Sequence, residues 1–251
     1  MDAGYILETR SLVKEFKGFV AVNDVNLKVR SGSIHGLIGP NGAGKTTVFN
    51  LLTKFITPTR GTIWFRGQEI TRHKPAEIAR RGLGRSFQIS AVFPHLTVLE
   101  NVRIALQRRI NTSFQFWKSE SSLSMLDARA RQLLAAVGLD NSATMVAVEL
   151  PYGRKRALEI ATTLALDPEL LLLDEPTQGL GHEDVDRVKS LIRRLANNRT
   201  VLMVEHNMSV VSDLCDFITV LQRGAVLAEG SYAEVSANPQ VREAYMGTYH
   251  D

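Results

Sequence analysis

The stretch Gly39-Pro40-Asn41-Gly42-Ala43-Gly44-Lys45-Thr46-Thr47 constrains this chain more than any other. An apolar run, Ile34 to Ile38, precedes it, and a helix-compatible run, Val48 to Leu52, follows. A glycine-rich loop at this spacing, between a strand and a helix, is a phosphate-binding loop. Gly39, Gly42 and Gly44 let the backbone turn tightly and approach a ligand closely. The loop N–H groups then point inward at phosphate oxygens, helped by the N-terminus of the following helix. Lys45 is expected to reach the β- and γ-phosphates. The Thr46 hydroxyl is expected to ligate Mg²⁺, a hard cation that takes oxygen ligands.

A cradle alone binds many nucleotides, so the rest of the site must come from elsewhere in the chain. Leu170-Leu171-Leu172-Leu173-Asp174-Glu175-Pro176-Thr177 reads as a strand buried on both faces that ends in two acids. Asp174 is placed to hold Mg²⁺ through water. Glu175 is placed to orient and polarise an attacking water. His206 closes a third apolar run, Val201 to Glu205, and is expected to hydrogen-bond the γ-phosphate. Gln88 lies between the loop and the Asp-Glu strand and carries no signal by itself.

Together these residues resemble the nucleotide-binding subunit of an ABC transporter, over about Leu7 to Tyr249. The order matches that family: an aromatic near the start, phosphate loop, glutamine, signature, Asp-Glu strand, histidine. The resemblance implies that Phe16 stacks on adenine, and that Gln88 touches Mg²⁺ and the attacking water and relays movement to a membrane subunit. Within the family the chain resembles the importers of branched-chain amino acids. That likeness lies in Phe16 to Val25, in Phe93 to Val102, in Arg156 to Ala161 and in the tail Asn238 to Gly247. Related importers of urea, other amides and aromatic acids share these features. The implied partners are permease subunits, a binding protein acting indirectly, and a second ATPase subunit.

The chain departs from the family at two places. The family signature is Leu-Ser-Gly-Gly-Gln, where this chain has Leu150-Pro151-Tyr152-Gly153-Arg154. In the family the serine and second glycine hold the γ-phosphate bound to the opposite subunit. Pro151 has neither hydroxyl nor N–H, and Gly153 keeps its N–H. Gly181 stands where the family usually has an aspartate, with His182 beside it. The chain's own Lys45, Asp174, Glu175 and His206 are intact, but what it offers the opposite site is altered. The expectation is a heterodimer whose partner supplies a standard signature, with slower hydrolysis at the reciprocal site; a homodimer is the alternative.

Composition sets the outer bounds. The 251 residues suffice for one large core or two small ones. Their hydrophobic content of 44% and charged content of 22% are those of a globular protein. No apolar run reaches the roughly 18 residues of a membrane helix. The start, Met1-Asp2-Ala3-Gly4-Tyr5, lacks a basic region and an apolar segment. The expected location is therefore the cytoplasm, peripheral on the inner face of the cell membrane. The single cysteine, Cys215, excludes an internal disulfide and is expected in the core of a helix. The net charge of +4 comes from scattered basic residues. No basic stripe interleaved with aromatics is present, so nucleic acid is not an expected partner; a modest attraction to anionic lipid fits better.

Along the chain the expected fold is α/β. Residues 1–87 and 161–251 form a RecA-like core with an antiparallel β subdomain, and 88–160 a helical insert that carries the signature and meets the membrane subunit. In the first part, turns at Ser31-Gly32, Pro58 to Gly61 and Arg66-Gly67 separate antiparallel strands that flank the phosphate-loop strand. Apolar residues then recur at helical spacing, with Gly138 as a stop. The aromatics of Asn111 to Trp117 either face the permease or pack on the insert. From Asp167 strands and helices alternate, and about 225–251 is the C-terminal extension of the branched-chain group. The function expected is ATP hydrolysis by water that powers transport. The rivals are the ATPase of a lipopolysaccharide-type exporter and a soluble ABC protein of ribosomes or DNA. A GTPase fits less well, because no Asn-Lys-x-Asp motif is present.

Overall fold

The computed structural model describes residues 4–86, 92–109 and 120–246. In chain order the strands and helices up to the insert are β1 (Tyr5–Phe16), β2 (Phe19–Val25), β3 (Lys28–Arg30), β4 (Ile34–Ile38), α1 (Lys45–Leu52), β5 (Arg60–Phe65), β6 (Gln68–Glu69), α2 (Pro75–Arg80) and β7 (Leu83–Ser86). Then come α3 (Val98–Arg109), α4 (Glu120–Ala136), α5 (Tyr152–Leu164), β8 (Leu170–Asp174), α6 (His182–Ala196), β9 (Thr200–Val204) and α7 (Met208–Leu214). The chain closes with β10 (Phe217–Gln222), β11 (Ala225–Gly230), α8 (Tyr232–Ala237) and α9 (Pro239–Met246).

Two sheets form. One runs β2-β1-β5-β6, with β3 also paired to β1, and all its pairings are antiparallel. The other runs β11-β10-β4-β9-β8-β7 and is parallel except for β11. Along the chain β4 lies between antiparallel strands, but in space its two neighbours are the parallel strands β10 and β9. The reason is burial: every residue of β4, β8 and β9 is buried, and only a strand covered on both faces can be apolar throughout.

Strand alternation shows why four leucines stand in a row. Leu170 and Leu172 enter the core shared with α1 and the antiparallel sheet, whereas Leu171 and Leu173 enter the core shared with α3, α4, α5 and α6. Val201 and Met203 of β9 divide from Leu202 and Val204 in the same way. The parallel strands thus carry Ile38, Asp174 and Val204 to one edge of the sheet, where the chemistry-bearing residues follow.

Helices α3, α4 and α5 pack on one another around a shared apolar core. Gly138, at φ 75°, ends α4, and Leu139 N–H returns to Leu134 C=O at 2.8 Å, a glycine-based helix stop. Helix α5 runs unbroken through residue 160, so no break in the helix marks the boundary expected there. Cys215 lies just past α7 as its C-cap, not within the helix, and is half-buried. Its Sγ lies 2.8 Å from where a Cβ on Gly36 would stand, and burial pushes the thiol up to about 12, which keeps it protonated and inert. The aromatics of Asn111 to Trp117 lie outside the described residues. No described helix is long and apolar enough to cross a membrane.

Candidate functional site

The loop after β4 takes its shape from glycines that no other residue could replace. Gly39 sits at φ 150°, and a Cβ there would lie 2.2 Å from the Leu221 carbonyl oxygen of β10. Gly44 caps α1 at φ 102°, and its Cβ would lie 2.7 Å from the Ala21 carbonyl oxygen of β2. Ala43 is tied in at both ends: its N–H donates to Pro40 C=O at 3.1 Å, and its C=O accepts from Gly224 N–H at 3.0 Å. Asn41 and Gly42 are exposed. No side chain caps α1, so its first-turn N–H groups remain available to an anion.

Lys45 is buried and curls back over this loop, donating to Gly39 C=O at 2.7 Å and to Pro40 C=O at 3.0 Å. Burial lowers its pKa, while Glu175 and Asp174 act in the opposite sense. Those two carboxylates are therefore close enough to share one electrostatic environment with the amine. Thr46 is exposed and Thr47 half-buried in the first turn of α1.

Asp174 ends β8 and is paired with a residue whose part the sequence did not reveal. Arg85 of β7 contacts the Asp174 carboxylate at 2.7 Å, with both side chains about nine-tenths buried. The same guanidinium donates to Asn50 Oδ1 at 2.7 Å and Thr53 Oγ1 at 3.2 Å. Arg85 thereby fixes the acid at the strand end against the back of α1. Among the described residues no three His, Cys, Asp or Glu side chains gather into a metal cage. Mg²⁺ binds through one or two protein oxygens and completes its shell with substrate phosphates and water. The exposed Thr46 hydroxyl and the Asp174 carboxylate are the donors of that type.

Glu175 follows at φ 47°, a left-handed conformation that costs a residue with a Cβ on the order of 1–3 kcal/mol. The turn is held by Glu175 N–H donating to Val204 C=O at 2.9 Å. It brings the Glu175 carboxylate to 3.8 Å from His206 Nδ1, with His206 half exposed. The residue between β9 and His206 is the second one whose role was not legible. Glu205 is fully buried and accepts four hydrogen bonds. Its Oε1 takes Thr177 N–H at 3.0 Å and the Thr177 hydroxyl at 2.5 Å. Its Oε2 takes His206 N–H at 3.1 Å and Asn207 N–H at 3.3 Å. One carboxylate thus ties the segment after Glu175 to the segment that carries His206. Its only sequence signal was an acid closing an apolar strand.

The signature segment lies apart from this cluster. Pro151 is the N-cap of α5 and offers no side-chain cap. Gly153 is buried so closely against α6 that a Cβ would fall 2.6 Å from Asp184 Oδ2. Both Gly153 and Asp184 line a cleft of about 430 Å³ to which the phosphate loop contributes nothing. Around Gly181 there is open space, and its φ of −72° suits any residue, so nothing local forces a glycine there. Phe16 is exposed near the tip of the β1–β2 hairpin, opposite Phe19, with Lys14 Nζ 4.8 Å from its ring centre. The hairpin reaches the loop through Ala21, which lies against Gly44. Gln88 lies outside the described residues.

The family model for the ABC transporter matches residues 22–178. A second model, for the branched-chain amino acid ATP-binding cassette transporter, matches residues 225–251. The chain is 42% identical to the high-affinity branched-chain amino acid transport ATP-binding protein BraF of Pseudomonas aeruginosa, over 96% of this chain and 98% of that one. It is 41% identical to LivG of Escherichia coli, a protein of the same description, with the same coverage. Among solved structures it is similar to the ADP conformation of MJ1267, an ATP-binding cassette of an ABC transporter. There the TM-score is 0.85 at 29% identity, covering 97% of this chain and 99% of that one.

Proposed function

The chain belongs to the ABC transporter family, and from that premise we propose that it is the ATP-hydrolysing subunit of an importer for branched-chain amino acids or related small amides and organic acids. The cargo class is supported by the match of the C-terminal residues to the branched-chain model and by the relatives named above. The observation that carries the catalytic reading is the meeting of Glu175 and His206 at 3.8 Å, beside the loop that holds Lys45.

On this reading ATP lies on the loop from Gly39 to Thr47, with adenine against Phe16. Lys45 exchanges the Gly39 and Pro40 carbonyls for phosphate oxygens and draws off charge that develops in the transition state. Mg²⁺, held by Thr46, Asp174 and Gln88, would neutralise further phosphate charge when bound. Glu175 orients the attacking water and His206 steadies the γ-phosphate. Gly153 serves the site of the opposite subunit. The partner is a second ATPase with a standard signature, and the pair works on permease subunits at the inner face of the membrane. The division into a core, residues 1–87 and 161–251, and a helical insert, residues 88–160, belongs to the same proposal.

Glu175→Gln tests the chemistry. ATP should bind with unchanged affinity, and turnover should fall about a hundredfold or more, the scale of losing a general base. Turnover within twofold of wild type would refute the assignment. Co-purification from membranes of the chain's own source tests the assembly: permeases and a second ATPase are expected, and ribosomes or repair proteins in their place would overturn the transport reading.

A further inference from the structure

We propose that Gly224, in the turn between β10 and β11, couples the hairpin that carries Phe16 to the phosphate loop and is a positioning residue for the adenine end of the nucleotide; this rests on the ATPase reading above. The hairpin and the loop belong to different sheets. The hairpin is the β1–β2 end of the antiparallel sheet, and the loop leaves β4 of the parallel one, which ends at β11. No strand pairing crosses from one of these sheets to the other. A nucleotide that lies on both needs them at a fixed spacing. Gly224 spans the gap with its backbone. Asn23 N–H of β2 donates to Gly224 C=O at 2.7 Å, and Gly224 N–H donates to Ala43 C=O of the loop at 3.0 Å.

The turn alone explains part of this glycine. Gln222 stands opposite Ala225, and Arg223 and Gly224 between them have φ of 48° and 80°, the two-residue hairpin turn that favours glycine at its second position. It does not explain how near the turn comes to β2. A Cβ on Gly224 would stand 2.8 Å from the Ala21 carbonyl oxygen and 3.3 Å from Val22 Cα. A Cβ on Gly44 would meet the same carbonyl oxygen at 2.7 Å and Gly224 Cα at 3.5 Å. The backbones at Ala21, Gly44 and Gly224 therefore meet with no side chain between them. From Ala21 the strand runs two residues to Phe19, which stands opposite Phe16, so a displacement at Ala21 carries to Phe16. A methyl on Gly224 must push β2 away by about half an ångström to reach an ordinary C···O contact. The N–H that holds Ala43 would remain.

The test is a double-mutant cycle in the full chain. Gly224→Ala inserts the methyl. Asn23→Pro, at an exposed position of β2, removes the N–H that reaches Gly224 and carries the test where the first variant does not fold. Each is combined with Phe16→Ala, and equilibrium binding of ATP and of inorganic tripolyphosphate is measured. In the wild-type background Phe16→Ala should weaken ATP about tenfold, the scale of one base stacked on one ring. In either variant background the same change should cost less than about threefold, because the ring no longer meets a base held from the loop. Tripolyphosphate, which has no base, should bind all of these chains within about threefold of wild type. An equal loss from Phe16→Ala in every background overturns the proposal and leaves the ATPase reading standing. So does a loss of tripolyphosphate affinity that matches the loss for ATP in Gly224→Ala and Asn23→Pro, since the turn would then only support the fold. If Phe16→Ala leaves ATP affinity unchanged in the wild-type background, adenine does not lie on that hairpin, and the reading of the base site falls together with the proposal.

Discussion

Replacing Glu205 by Gln changes one heavy atom, yet it removes an acceptor that two segments share. In the native site each carboxylate oxygen takes two donors, Thr177 N–H and Oγ1 on one side, His206 N–H and Asn207 N–H on the other. A glutamine has one carbonyl oxygen and one NH₂. The carbonyl should stay with Thr177, which is the more buried of the two sides. The NH₂ then confronts two N–H groups and the bonds to His206 and Asn207 are lost. Each bond to a charged acceptor is worth about 1.5–3 kcal/mol. Allowing for the partial exposure of that side, the restraint on the His206 segment falls by about 3 kcal/mol.

The consequence for function follows from where that restraint acts. His206 stands 3.8 Å from Glu175 in a segment that Glu205 ties to Thr177, whereas the glycine-rich loop is anchored to β10 and β2. Steady-state hydrolysis and equilibrium ATP binding should therefore separate: turnover down about 10- to 100-fold, ATP affinity within about threefold of wild type. The melting temperature should drop by about 6–12 °C, from about 2–4 °C per kcal/mol in a chain of this size. Thr177→Val removes one bond on the other side of the carboxylate and should give a smaller effect of the same kind. If Glu205→Gln melts early but hydrolyses ATP at the wild-type rate, the carboxylate is a structural clasp only, and the positioning argument is wrong.

Further expectations test the remaining parts of the site. Gly39→Ala should abolish nucleotide binding, since its Cβ would meet the Leu221 carbonyl at 2.2 Å; any binding within tenfold of wild type contradicts the geometry. Arg85→Met leaves Asp174 buried without its ion-pair partner and should lower stability by about 3–5 kcal/mol, read by urea denaturation. Pro151→Ser supplies α5 with a hydroxyl cap and the opposite site with a phosphate ligand. It should raise hydrolysis by the reconstituted pair several-fold, and no change would refute the account of the altered signature. His35 is buried against Thr219 Oγ1 at 2.9 Å, and burial, then Arg30, lowers its pKa from 6.5 to about 4. The unfolded chain binds that proton first as pH falls, so stability should decline from pH 6.5 towards pH 4, by up to about 1.4 kcal/mol per pH unit. His35→Leu should flatten that slope in denaturation curves.

The parts of this fold that could be read from the chain are those where a local rule leaves no alternative. Gly39 and Gly44 adopt backbone conformations closed to other residues, and their spacing announced the loop. Leu170 to Leu173 alternate between two covered faces, and only a buried parallel strand asks for that. Gly138 announced the end of α4 because a helix stop needs a left-handed residue. Arg85 and Glu205 obey no such rule. Each is a common residue whose partner stands far off in the chain: Asp174, 89 positions from Arg85, and Thr177, 28 positions from Glu205. The same distinction explains Cys215, expected in the core of a helix although it lies one residue past the helix end. It also bears on how such a site changes. On the proposed function, the loop glycines are fixed by backbone geometry and tolerate little substitution, while Arg85 and Glu205 act through side-chain contacts that are long-range in sequence. On that same function, the rate can therefore be retuned at Glu205 without touching the residues that would define the reaction.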